Sequence, residues 1–178
     1  VEVDGNFNEV LKDQRVMPHL HLSIQSGDDM ILKRMKRRHN SKDVFQFVDR
    51  CKKIRKDISF GADIIAGFPT ETDTMFENTY KLLRDNEISH LHIFPFSPKN
   101  NTPASRMPQV SKLIIKKRAK VLRDLGELIL KKVRSKLSLP REILIEELNS
   151  GLAIGYDQNY IKHKVPLVGV PVGEVIRV

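Results

Sequence analysis

Polar and apolar positions alternate through residues 19–25. Leu20, Leu22 and Ile24 point one way, and His19, His21, Ser23 and Gln25 the other. Residues 61–67 repeat the pattern, with Asp63, Ile65 and Gly67 on one face and Ala62, Ile64 and Ala66 on the other. A third run, 90–96, carries His90, His92, Phe94 and Phe96 on one face and closes with prolines, where Pro95 removes a ladder donor. Between these runs the period lengthens to that of a helix. A short helix is predicted over 30–35. A second, over 41–56, has Val44, Phe47, Val48 and Cys51 as its stripe. A third, over 71–84, buries Met75, Phe76, Thr79, Leu82 and Leu83. Ser41 and Thr70 are the expected helix caps. Strands separated by helices predict parallel βαβ units and an α/β fold. Their carboxyl ends put Gln25-Ser26, Gly67-Phe68 and Phe96-Ser97 at one rim, where ligands of such folds bind. Gly67, ending its strand, is expected to let a ligand approach the backbone.

Outside these units, residues 1–4 read as a strand end and 6–15 as a short helix or loop. Residues 111–137 form a long amphipathic helix on the stripe Ile115, Ala119, Leu122, Gly126, Ile129 and Val133. Its many Lys and Arg residues, Arg118 among them, read as a solvated remainder. Beyond Pro140 the period falls back to two. Short strands at 143–148, 152–156, 160–165 and 174–178, with Asn, Gly and Asp between them, predict a small antiparallel barrel docked on what precedes it. Two domains follow, 1–136 and 137–178.

Composition narrows the function. Lys plus Arg total 31 against 22 acidic residues, a net charge of +9 that suits a polyanion such as nucleic acid. Lys33, Arg34, Lys36, Arg37 and Arg38 form the densest basic cluster, more cations than a helix end requires, and are read as phosphate contacts. Lys162 and Lys164 share a strand face beside Tyr160, a pattern that suits RNA. The single cysteine, Cys51, lies on an apolar stripe. It excludes an intrachain disulfide and fits a reducing, cytoplasmic compartment. No apolar run approaches ~18 residues, so no membrane span is expected. His21, Asp63 and His92 could face one interior. The pair His19 and His21, with no third ligand evident nearby, is read as polar barrel lining, and no metal is assigned to the chain.

The ordered motifs His19-Leu20-His21-Leu22-Ser23-Ile24-Gln25-Ser26-Gly27-Asp28-Asp29, Leu32-Lys33-Arg34-Met35-Lys36-Arg37-Arg38, Asp63-Ile64-Ile65-Ala66-Gly67-Phe68-Pro69-Thr70-Glu71-Thr72 and Phe94-Pro95-Phe96-Ser97-Pro98 resemble the radical-SAM methylthiotransferases. The basic wording is most similar to the branch acting on threonylcarbamoyladenosine beside the tRNA anticodon. Residues 137–178, with Gly155-Tyr156 and Asn159-Tyr160, resemble the tRNA-binding TRAM domain that ends these enzymes. The resemblance implies the later strands of a partial (β/α)6 barrel followed by TRAM. It implies methylthio transfer to C2 of the modified adenosine, with S-adenosylmethionine as radical source and methyl donor. Gln25, Ser26, Asp63, Ile65, Gly67, Phe68, Glu71, Phe94, Phe96 and Ser97 would hold S-adenosylmethionine, and the basic residues named above would hold tRNA.

Two loops depart from the family pattern: Thr70 stands where the family has Gly, and Asn100-Asn101 where it has Pro-Gly. The family's cluster-binding cysteines are absent, and Cys51 cannot replace them. The 4Fe–4S clusters would then come from sequence upstream or from a separately encoded amino-terminal half. Alternatives are a non-catalytic RNA-binding remnant, or transfer to another modified adenosine or to a ribosomal protein.

Overall fold

A computed structural model of the chain describes residues 5–137, 141–166 and 169–178; the strand end expected at 1–4 lies outside them. After a short helix, α1 (Phe7–Lys12), three strands run parallel in the order β1-β2-β3: β1 (His19–Gln25), β2 (Ser59–Ala66) and β3 (His90–Pro95). Pro18 precedes β1 and biases Met17 toward extended backbone; α1 has already ended at Lys12, where Asp13 is extended. The crossovers are α2 (Asp29–Arg34) with α3 (Ser41–Ile54), then α4 (Asp73–Asp85). The register sets His19 beside Ser59, His21 beside Gly61, and Asp63 beside His92.

The period-two pattern becomes the two faces of this sheet. Leu22, Ile24, Phe60, Ala62, Ile64 and Ile93 join Val44, Phe47, Val48 and Cys51 of α3 and Leu82 and Leu83 of α4 in one buried core. A long helix, α5 (Lys112–Lys136), closes that core with Ala119, Leu122, Leu125 and Ile129. Apolar burial of this kind is worth roughly 1.5–3 kcal/mol per large side chain. The histidines and Asp63 occupy the opposite, polar face.

Helix starts are set by side-chain caps, and two fall elsewhere than expected. Asn40, not Ser41, caps α3, in a reciprocal box with Asp43. Thr72, not Thr70, caps α4 by accepting the Met75 amide. Thr70 instead has φ +67° and donates its amide to the Pro108 carbonyl. In each case a better-placed oxygen won: the carboxamide of Asn40, and a hydroxyl directly before the helix.

The last four strands, β4 (Glu142–Asn149), β5 (Leu152–Asp157), β6 (Lys162–Val165) and β7 (Val175–Arg177), form a separate antiparallel sheet in the order β6-β5-β4-β7. Its core is small: Ile143, Ile145 and Ala153. The strand expected from residue 160 starts at Lys162, because 157–160 is a turn with Tyr160 at φ +63°. Asp157 organises this turn. One carboxylate oxygen accepts the amides of Asn159 and Ile161, and the other meets Arg141 and His163. The turn docks at the amino ends of the parallel strands. The Asn159 amide group donates to the carbonyls of Pro18 at 3.0 Å and Asp57 at 2.7 Å, and Tyr160 stacks on His19.

Candidate functional site

At the carboxyl ends of β1, β2 and β3 lies a cavity of about 470 Å³. Each strand contributes to it: Gln25 from β1, Asp63 and Ile65 from β2, Phe94 from β3, with Phe96 and Ser97 just beyond. Local backbone aims these groups. Gln25 has φ +68°, and the β1–β2 register shifts between Leu22 and Gln25, so the end of β1 turns toward the cavity. Such strain in a residue with a Cβ is held by its surroundings and clusters at ligand sites. The Phe96 amide still bonds the Ala66 carbonyl at 2.9 Å, which carries β3's alignment past Pro95 to the rim.

The ten residues expected around a cofactor thus divide into two sets. Gln25, Asp63, Ile65, Phe94, Phe96 and Ser97 line the cavity. Ser26, Gly67, Phe68 and Glu71 are buried behind it. Ser26 Oγ accepts the Asp28 amide and meets Thr79 Oγ1 at 3.3 Å. Phe68 packs edge-on against Phe96, with centroids 5.3 Å apart.

Gly67 (φ +74°) has a packing role that the sequence did not show. A Cβ there would collide with Ile115 of α5, so the missing side chain makes room for that helix.

The Gly67 amide donates to Glu71 Oε2 at 3.1 Å, and Arg118 donates to the same oxygen at 2.7 Å and to the Glu71 carbonyl at 3.0 Å. The other Arg118 nitrogen reaches Asp73 at 2.7 Å, and its guanidinium lies over the Phe76 ring. Burial pushes the Glu71 carboxyl up, against the opposing pull of Arg118 and the Gly67 amide. Arg118 therefore is not part of the solvated remainder: it is 5% exposed and braces the rim loop. A signal was present, since residue 118 lies three after Ile115 and four before Leu122, on the apolar stripe.

The basic cluster follows α2. Lys33, Lys36, Arg37 and Arg38 are exposed, while Arg34 is half-buried and reaches Met75 Sδ. Lys36 takes φ +56°, and the amides of Lys36 and Arg37 fold back to the carbonyls of Lys33 and Leu32, the pattern of a Schellman cap. This bend sets Lys36, Arg37 and Arg38 around a groove shared with His21 and Ser23. Lys162 and Lys164 are exposed on β6, with Lys162 Nζ 5.9 Å from the Tyr156 ring centre. The two basic groups are not brought together: one lies at the carboxyl ends of the parallel strands, the other beyond the turn docked at their amino ends.

Cys51 is fully buried in the α3 stripe, and burial pushes its thiol up to about 11. An apolar, protonated thiol is not a cluster ligand. The residues present therefore do not fit an iron–sulfur cluster. They do fit a nucleoside-sized ligand, in a cavity with aromatic faces and a few polar groups.

An α/β core with its cavity at the carboxyl rim agrees with the match of residues 6–83 to the radical SAM superfamily. Over more of its length, the chain is similar to tRNA methylthiotransferases. It is 49% identical over 170 residues, 92% of the chain, to the threonylcarbamoyladenosine tRNA methylthiotransferase MtaB of Rickettsia prowazekii, covering 38% of that protein. It is 39% identical over 184 residues, 98% of the chain, to the Thermotoga maritima protein of the same name, covering 41% of it. It is 41% identical over 96 residues, 54% of the chain, to the tRNA-2-methylthio-N(6)-dimethylallyladenosine synthase of Ehrlichia canis, covering 22% of it. The chain spans about two fifths of the length of the first two relatives. No helix among the described residues is long and apolar enough to cross a membrane.

Proposed function

We propose that the chain is the carboxyl-terminal part of a cytoplasmic tRNA methylthiotransferase that acts on N6-threonylcarbamoyladenosine beside the anticodon. Residues 1–136 are the later strands of a partial radical-SAM barrel, and 137–178 are a TRAM-like RNA-binding β-barrel domain. The observation that carries this reading is the rim cavity, to which all three parallel strands contribute. Its polar groups, Gln25, Asp63 and Ser97, suit a ribose and an amino acid head, and Phe94, Phe96 and Ile65 suit an adenine face. Glu71 and Arg118 hold the loop behind it. S-adenosylmethionine, when bound, supplies the radical and the methyl group. The clusters this requires come from sequence outside this chain, whether upstream or on a separate amino-terminal half. Lys33, Arg34, Lys36, Arg37, Arg38, Lys162 and Lys164 engage tRNA phosphates. The threonylcarbamoyl substrate is preferred to the dimethylallyl one because two relatives named for the former are 49% and 39% identical over 92% and 98% of the chain, whereas similarity to relatives named for the latter extends over 54% to 79% of it.

The test is anaerobic reconstitution with iron and sulfide, followed by nucleoside analysis of tRNA incubated with S-adenosylmethionine. The isolated chain is expected to give no product, since it lacks a cysteine set. The chain joined to a relative's cluster-bearing amino-terminal part is expected to convert threonylcarbamoyladenosine. Product from the isolated chain, or none from the joined protein, overturns the reading.

A further inference from the structure

The polar face of the parallel sheet holds a three-residue cluster whose Asp63 also lines the rim cavity and whose His21 also lines the basic groove. His21 Nε2 lies 3.0 Å from Asp63 Oδ1, and His92 Nδ1 lies 3.4 Å from the same oxygen. The three donor atoms all fall within 4.8 Å of one another. Each comes from a different strand: His21 from β1, Asp63 from β2, His92 from β3. They are 42 and 29 residues apart in sequence, which is why the histidines showed no third partner along the chain.

We infer that His21, Asp63 and His92 form a binding site for one divalent transition metal of the zinc type, separate from any iron–sulfur cluster. Two imidazoles and one carboxylate are a donor set that suits Zn²⁺ and its first-row neighbours and does not suit Mg²⁺ or Ca²⁺. Ligands held ~2.1 Å from one ion stand roughly 3.0–3.5 Å apart; the two His–Asp separations, 3.0 and 3.4 Å, lie in that range, and the His–His pair, within 4.8 Å, would close on binding. Parallel β-strands hold donor positions more rigidly than loops do.

A second observation shows room built for the cluster. The partner of His21 across the sheet is Gly61, and a Cβ there would stand 2.5 Å from His21 Nδ1. Gly61 has no positive φ to explain the glycine; what it provides is the space that lets the ring lean across β2 toward Asp63. The side chains of His21 and Asp63 are 34% and 29% exposed and that of His92 is 65% exposed. An ion held there keeps open positions on the exposed side of this face. Asp63 also lines the rim cavity and His21 and His92 do not, so the ion would sit beside that cavity and share Asp63 with it.

The test uses the 178-residue chain, stripped of metal and titrated with Co²⁺ followed by visible absorption, then with Zn²⁺ to displace it. One equivalent of Co²⁺ is expected, with ligand-field bands of a nitrogen- and oxygen-bound ion, displaced stoichiometrically by Zn²⁺. His92→Ala, at an exposed position that does not threaten folding, is expected to weaken binding by at least about tenfold. Asp63→Asn is expected to do the same, and Gly61→Ala to weaken binding with all three ligands retained. His39→Ala, which removes a histidine outside the cluster, should change nothing. Near-ultraviolet circular dichroism of each variant verifies the fold. A parent chain that binds no Co²⁺, or a folded His92→Ala that binds it as the parent does, overturns the site.

Discussion

At Gly67 the fold supplies a cause for glycine that the local sequence does not carry. The strand-end glycine was legible as a place where no side chain fits, but the reason lies in Ile115, 48 positions away on α5, and in a backbone at φ +74°. Gly67→Ala is expected to destabilise the fold by about 2–4 kcal/mol, from overpacking and a left-handed backbone together. A urea titration followed by circular dichroism would show a lowered midpoint at unchanged slope. A midpoint equal to that of the parent would mean α5 does not press on the rim. The same distance hid Arg118: its charge advertised solvent, and only Glu71, 47 residues earlier, made its burial affordable. Caps, in contrast, are local. The chain signalled that α3 and α4 begin near Ser41 and Thr70, and what it left open was which of several neighbouring oxygens wins.

At the scale of elements, all three parallel strands and the helices between them were legible from period alone, because each buries one face. The antiparallel strands were legible as well, but not the way they dock, since docking uses a turn whose groups carry no period. That turn has its own pH dependence. Burial, then the neighbouring His90 and His21, lowers the His19 pKa from its ordinary 6.5 to about 4. Burial lowers His90 as well, and His90 Nε2 lies 3.0 Å from the Tyr160 carbonyl. The folded chain therefore resists protonation that the unfolded chain accepts. The stabilisation is complete above about pH 6.5 and is lost as the pH falls from there toward 4. The loss from His19 is on the order of 1–2 kcal/mol, since its half-buried ring keeps some contact with water. Melting temperature measured from pH 7.5 to 4.5 is expected to fall more steeply in the parent than in His19→Gln, which cannot take up the proton. Parallel curves would remove His19 from the account.

At the scale of the molecule, charge was legible as an excess but not as a distribution. The fold sends the two basic groups to opposite ends of the parallel strands, so under the proposed function their contributions to tRNA binding should add. Lys33→Ala with Arg37→Ala, and separately Lys162→Ala with Lys164→Ala, are each expected to weaken binding of a tRNA. Each pair should also flatten the slope of log affinity against log salt by about one unit per lost phosphate contact. Lys117→Ala with Lys131→Ala, on the exposed face of α5, is the comparison. Lys132 is unsuitable for it, because it pairs with Glu87 at 3.0 Å. Equal, small effects from all three pairs would reduce the basic surface to a general attraction.

Helix α5 gives that arrangement a length. Its first turns press Ile115 and Arg118 against the rim loop, and its last residue, Lys136, pairs with Glu87 and leads toward β4. Its 25 residues extend about 37 Å at 1.5 Å each. Under the proposed function the helix would act as a ruler between the cavity and the second sheet. A free nucleoside or a trinucleotide is too short to reach both ends of it, whereas a folded stem-loop is long enough. Discrimination between a base in its natural setting and the same base in a fragment would then need no extra contact at the base itself.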